Sequence, residues 1–161
     1  MKKILILLSL ITLFGCAKQS VPDGLPKLVP VTLTITQEGT PLAGAVVSVV
    51  DLSGGISFMV GGTTDVNGNV VLYTHGQYKG APLGKFKVRV VKTESDPLPP
   101  APQRDTPEFE AYIKEMRKNP PKTYMLVEKQ YTNVNTTPLE LDINGPLTTT
   151  FDVGKAVKDV L

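Results

Sequence analysis

From Val31 onward the chain alternates apolar and polar side chains with a period of two, the spacing that sends successive side chains to opposite faces of a strand. Val31, Leu33 and Ile35 alternate with Thr32, Thr34 and Thr36, a pattern suited to a half-buried strand. Glu38 to Pro41 turns the chain. Ala45 to Leu52 is apolar on both faces except at Ser48 and Asp51, which predicts a more central strand. Gly54-Gly55 ends it, and Ile56 to Val60 reads as a short third strand. Asp65-Val66-Asn67-Gly68-Asn69 predicts a hairpin turn, because Asn-Gly accepts positive φ, and Val70 to Thr74 follows as a strand. Gly76 to Gly84 reads as a loop. Lys85 to Val91 then alternates cleanly, with Phe86, Val88 and Val90 inward and Lys87 and Arg89 outward.

The alternation stops between Ser95 and Pro121, a stretch rich in proline that includes Pro97-Leu98-Pro99-Pro100-Ala101-Pro102. Within it Pro107 to Lys118 predicts a helix. Asp105 and Glu108 have capping-box spacing, and Pro107 suits the first turn. Phe109, Tyr112, Ile113 and Met116 form one stripe at helical spacing. Glu108 and Glu110 lie early and Arg117 and Lys118 late, complementing the helix dipole. Such a stripe is expected to seal the helix over the domain. Strand character returns at Thr123 to Val127 and at Leu139, Leu141 and Ile143, which alternate with Glu140 and Asp142. After Asn144-Gly145, Thr149, Phe151 and Val153 face inward. Seven or eight short strands separated by turns predict an all-β, two-sheet antiparallel sandwich with one short helix in the 95–121 insertion.

The N-terminal pattern is different. Lys2 and Lys3 precede an apolar run from Ile4 to Leu8 that resumes after Ser9 and reaches Phe14, followed by Gly15 and Cys16. A basic start, a short apolar stretch and a small residue at its end have the form of a secretory signal. The run is too short to span a bilayer, which needs about 20 apolar residues. Leu13-Phe14-Gly15-Cys16 resembles the bacterial lipobox. That resemblance implies a signal peptide over residues 1–15 and acylation of Cys16, with the lipid bilayer as a partner. Two or more acyl chains give stable anchoring at about 0.8 kcal/mol per buried CH₂. It also implies localisation in the cell envelope. Ala17, rather than aspartate, after the cysteine leans towards the outer membrane over the inner. Residues 16–30, with Pro22, Gly24, Pro26 and Pro30, read as a lipidated tether. The domain is expected over 31–154 and a C-terminal tail over 155–161.

Processing would also change the charge. Lys2 and Lys3 leave with the signal, so 15 basic and 15 acidic side chains remain and the formal net charge falls from +2 to zero. Nothing in that balance calls for a nucleic acid partner.

Several segments taken together resemble a known family. Gly39-Thr40-Pro41-Leu42-Ala43-Gly44-Ala45 is similar to the opening of carboxypeptidase regulatory-like domains, which are transthyretin-like, Ig-like sandwiches. Thr63-Thr64-Asp65-Val66-Asn67-Gly68-Asn69 resembles their T-D-x-x-G hairpin, and Gly80-Ala81-Pro82-Leu83-Gly84-Lys85-Phe86-Lys87-Val88 their G-x-Y-x-V strand. Leu126 to Tyr131, with Thr136 to Leu139, resembles the closing part of small planctomycete and lentisphaeral lipoproteins that carry this domain. The resemblance spans about Val31 to Val153. It implies a non-catalytic accessory module, and a fold does not by itself assign a function.

Candidate chemistry is sparse. His75 is the sole histidine and Cys16 the sole cysteine, so neither a histidine-based metal site nor an internal disulfide is expected. The chain has no Gly-x-Ser-x-Gly, His-Glu-x-x-His or phosphate-loop motif, and calls for no cofactor. Asp65, Asn67 and Asn69 offer oxygens, but the twelfth position of an EF-hand loop would be Gly76 where glutamate is needed. Lys85, Lys87 and Arg89 are expected to pair across the outer face with Glu140 and Asp142. The expectation is therefore a non-enzymatic envelope lipoprotein with a structural or recognition role. The competing reading is a carbohydrate- or peptide-binding module, possible partners being an envelope protein or a glycan. Its contacts would come from Tyr78 and Lys79, read as a loop, and from Phe109 and Tyr112 of the insertion. Tyr73 and Tyr131 are expected to pack in the core or at an edge.

Overall fold

A computed structural model describes residues 24–52 and 58–161. The proposed signal peptide, Cys16, most of the tether and Gly54-Gly55-Ile56 lie outside the described residues. Strands are numbered in chain order: β1 (Leu28–Val29), β2 (Val31–Gln37), β3 (Thr40–Pro41), β4 (Val46–Asp51), β5 (Val60–Thr63), β6 (Asn69–Val71), β7 (Tyr73–Thr74), β8 (Tyr78–Lys79), β9 (Ala81–Pro82), β10 (Gly84–Val91) and β11 (Thr93–Ser95). They are followed by helix α1 (Pro107–Lys118), β12 (Thr123–Val127), β13 (Glu140–Ile143), β14 (Leu147–Asp152) and β15 (Ala156–Val160).

One sheet has six strands in the order β13-β10-β4-β5-β7-β8. The facing sheet contains β14, β2 and β3, with β6 also paired to β2. Their inner faces share one core: Val31, Leu33 and Ile35 of β2 meet Val47 and Val49 of β4, Phe86, Val88 and Val90 of β10, and Leu141 and Ile143 of β13. The alternation along the sequence is thus an alternation between core and surface, as expected of a sandwich. The chain is an all-β sandwich, with fifteen strand segments among the described residues rather than seven or eight. The excess comes from short segments that the pattern merges or misses. The expected loop 76–84 contains β8 and β9, the tether's Leu28–Val29 is β1 paired to β9, and the expected tail forms β15. One pairing departs from the antiparallel expectation: β14 runs parallel to β2, from Leu147 opposite Val31 to Asp152 opposite Thr36.

Asp65–Asn69 is a tight turn but does not close a hairpin within one sheet. It carries the chain from β5, in the six-stranded sheet, to β6, in the other. The Asp65 carboxylate accepts from the Asn67 and Asn69 N–H groups at 2.9 and 2.8 Å. Gly68 has φ +75°, and a Cβ there would lie 2.5 Å from the Ile35 carbonyl oxygen. Buried Thr64 ties the corner to the entry of β4, donating to the Leu42 carbonyl (2.6 Å) and accepting from the Ala45 N–H (2.8 Å). Val70 to Thr74 changes sheets without breaking its parity: Val70, Leu72 and Thr74 are all buried, while β6 pairs with β2 and β7 with β5.

The insertion has its own stem. β11 and β12 pair antiparallel, and β15 adds to β12 as a third strand. At the neck, Asp96 receives the Lys122 N–H at 3.2 Å and returns its own N–H to the Lys122 carbonyl at 2.9 Å. The helix occupies the expected residues, but its cap is Thr106, whose Oγ1 accepts from the Phe109 N–H at 3.2 Å. Asp105 instead sits at φ +64°. No helix residue is buried, so the expected seal over the domain is not made. Tyr112 donates its hydroxyl to the Pro99 carbonyl at 3.3 Å, and its ring stacks on Phe109 at 6.3 Å between centroids. Tyr112 thus ties the stripe to its own proline-rich segment by one hydrogen bond.

Candidate functional site

The strand register brings a set of side chains into line on the outer face of the six-stranded sheet. Arg89 pairs with Ser48, Ser48 with Gly61, Gly61 with Tyr73, and Tyr73 with Lys79, across β10, β4, β5, β7 and β8. Paired residues share a face. With neighbouring strands about 4.8 Å apart, Arg89 and Tyr73 stand roughly 14 Å apart and Lys79 one strand beyond. The middle of the row carries only a hydroxymethyl group and a hydrogen. A groove of about 500 Å³ runs there, bordered by Val46, Val50, Met59, Thr63 and Tyr73. Tyr73 is 37 % exposed, Val46 50 % and Met59 75 %.

Beyond Arg89 lies a second recess of about 620 Å³, lined by Arg89, Lys129, Gln130, Thr132, Asn133, Val134 and Thr136. The 128–139 segment that walls it is fastened to β10. Arg89 donates Nε to the Thr132 carbonyl at 2.8 Å. Buried Thr137 donates its hydroxyl to the Val88 carbonyl at 2.8 Å, and Lys87 donates Nζ to the Thr137 carbonyl at 3.1 Å. Among the described residues the Arg89 guanidinium is held through Nε, and its side chain lines the recess.

Charge on this face is segregated. Lys87 pairs with Glu140 at 2.8 Å, as the sequence predicts, and this ion pair lowers the Glu140 carboxyl below its usual range, with Lys85 adding to it. Lys85 stands opposite Asp142 in the register. On β13, Glu140 and Asp142 thus stand beside Lys87 and Lys85. Among the described residues, Arg89, Lys129 and Lys79 form no ion pair.

The residues singled out from sequence do not converge. Tyr78 lies in β8 opposite buried Thr74, so it shares the core-facing side and is half-buried. Lys79 is exposed and joins the outer row. Phe109 and Tyr112 stay with the insertion, which leaves from β10, four strands and roughly 19 Å across the sheet from β8. Tyr131 packs against the core as expected, and burial, then the carboxylates of Glu128 and Asp152, raise its phenol. His75 is exposed in the turn between β7 and β8, at φ +53° with the Phe58 ring edge-on at 5.9 Å. Asp152 is held low by the Gly39 N–H, then by Thr36 and further backbone donors. Those bonds tie β14 to the β2–β3 turn. Among the described residues no group of three or more His, Cys, Asp or Glu side chains is placed to hold a metal ion, and no helix is long and apolar enough to cross a membrane.

Tyr73, Ser48, Gly61 and the recess residues were missed from sequence. Parity was the available signal for Tyr73: with Leu72 and Thr74 inward, the residue between them points out.

No protein-family profile and no curated protein matches the chain. Among solved structures it is similar to a 9R-lipoxygenase from Cyanothece PCC8801, at 18 % identity and a TM-score of 0.33, over 86 % of this chain. The aligned region is only 18 % of the lipoxygenase chain.

Proposed function

We propose that this chain is a membrane-anchored envelope lipoprotein whose β-sandwich is a non-catalytic recognition module. The anchor reading is supported by Lys2-Lys3, the apolar run and Leu13-Phe14-Gly15-Cys16. The observation that carries the recognition reading is the outer row of the six-stranded sheet, where exposed Tyr73 and unpaired Arg89 flank the small residues Ser48 and Gly61. A packed sandwich has no need of an exposed aromatic beside a groove, whereas contact surfaces favour tyrosine and arginine. On this reading the contact surface is the sheet face rather than Tyr78 and the insertion.

The anchor is tested by expressing the full chain and Cys16→Ser in a bacterial host and labelling with radioactive palmitate. The wild-type protein is expected to take up label and to partition into the detergent phase, and Cys16→Ser to do neither. An unlabelled wild-type chain, or a C16S chain that still partitions with membranes, overturns the anchor reading.

A further inference from the structure

From the charge and shape of this face, we propose that it binds an acidic oligosaccharide, laid across the strands from the 128–139 recess to β8. The inference rests on the reading of the outer sheet face as a contact surface. Three features select the ligand class.

The first is charge. Arg89 and Lys79 stand at the two ends of the row and Lys129 on the adjoining recess, none of them in an ion pair among the described residues, while Glu140 is paired with Lys87 and Asp142 stands opposite Lys85. A ligand carrying carboxylate or sulfate groups at intervals complements that spacing. The guanidinium of Arg89, already oriented through Nε, suits a planar carboxylate.

The second is the platform. Tyr73 lies opposite Gly61, which has no side chain to cover it. The negative face of a phenol ring attracts the polarised C–H groups on the apolar face of a pyranose. The Ser48 hydroxyl and the Asn133 side-chain NH₂ can hydrogen-bond sugar hydroxyls, while the Thr132 and Thr136 hydroxyls, whose protons go to the Lys129 and Gln130 carbonyls, can accept from them.

The third is direction. A peptide that joins a sheet does so along an edge, through unpaired backbone groups. Here the row runs perpendicular to the strands across the sheet interior, where β4 and β5 are paired on both sides. The face offers side chains rather than backbone groups, on strands about 4.8 Å apart. That suits a ligand which repeats ring by ring over a span of roughly 14 to 19 Å.

The test uses the full-length protein in detergent. Its affinity is measured by calorimetry for tetragalacturonate, its methyl-esterified neutral form, a sulfated tetrasaccharide and hexaglutamate. At least one acidic glycan is expected to bind more tightly than the neutral tetramer and the peptide. Tyr73→Ala should weaken that binding by about tenfold. Lys129→Glu and Lys79→Glu should each weaken it by about threefold or more and flatten its salt dependence. Tyr78→Ala and Phe109→Ala should leave it unchanged.

Equal binding of the methyl ester, tighter binding of hexaglutamate, or full affinity in Tyr73→Ala overturns the proposal. A photo-crosslinker placed at exposed Thr63 in cells separates the two readings. Protein adducts together with no acidic-glycan binding refute the ligand class and leave the contact surface standing. Neither adducts nor binding refutes both.

Discussion

Thr64→Val isolates the hydroxyl that holds the corner between the two sheets. The two side chains have nearly the same shape, so packing is preserved while Oγ1 becomes a methyl group. Thr64 is 5 % exposed, and its hydroxyl serves two partners at once, the Leu42 carbonyl at 2.6 Å and the Ala45 N–H at 2.8 Å. Removing it strands one buried acceptor and one buried donor, each costing about 1–3 kcal/mol. The added methyl returns about 0.8 kcal/mol of burial. The net loss is about 1–5 kcal/mol. For a domain of this size the middle of that range lowers Tm by roughly 10 °C, since each kcal/mol is worth about 3–4 °C. Thr64→Ser keeps both hydrogen bonds and gives up one methyl, for about 1 kcal/mol. Urea unfolding of the three proteins, with the slope required to stay constant, measures both differences. A Val variant within about 0.5 kcal/mol of wild type, or a Ser variant less stable than the Val variant, would refute the argument that the hydroxyl pins this corner.

Gly68→Ala combines φ +75° with a Cβ set 2.5 Å from the Ile35 carbonyl oxygen, and should cost about 2 kcal/mol or more in the same assay. Replacing Pro97–Asn119 by a short Gly-Ser linker, with Asp96 kept, should move Tm by no more than a few degrees, because α1 buries no residue; loss of cooperative unfolding would show that the insertion supports the sandwich after all. Lys87→Glu and Glu140→Lys should each destabilise, and the double reversal should be milder than Lys87→Glu alone. It should not restore wild type, because Lys87 also holds the Thr137 carbonyl; strict additivity in a double-mutant cycle would count against the pair. Asp152 has a lowered folded pKa, so its contribution is present above the usual carboxylate value of about 3.9 and is lost as pH falls through the lower folded value. Tm against pH should therefore show an acid limb that is shallower in Asp152→Asn, and an unchanged limb would remove Asp152 from that role.

The β-sandwich was readable because its strands bury one face each. In β2 and β10 every second residue is buried, and the sequence alternates in step. The helix was readable for the same reason at a different period, and its polar termini marked its ends. Its position was not readable. An amphipathic stripe states that one face prefers cover, and here no residue of the helix is buried, Tyr112 reaching the Pro99 carbonyl instead of the core. The Thr64-Asp65-x-x-Gly68 turn was visible as turn chemistry. That it passes from one sheet to the other depends on the partners of β5 and β6, which lie far along the chain.

The same distinction decides which tyrosine matters. Lys79 and Gly80 beside Tyr78 predict an exposed loop. Two residues of β8 paired to β7 are enough to fix its side, and Thr74 opposite it is buried. Tyr73 is expected to pack in the core or at an edge, yet the burial of Leu72 and Thr74 on either side obliges it to face out. Parity within a strand is local and could have been read from sequence. The alignment of Tyr73 with Gly61, Ser48 and Arg89 could not, since it depends on three separate strand pairings between residues as far apart as Ser48 and Arg89. A one-residue slip in any of them would move Arg89 or Tyr73 to the core side and dissolve the row. The contact surface proposed here is thus a property of the register of the six-stranded sheet, and Gly61 and Gly62 help to fix that register. A Cβ on Gly61 would strike the Val47 carbonyl oxygen of β4, and one on Gly62 would come within 2.6 Å of the Val70 side chain.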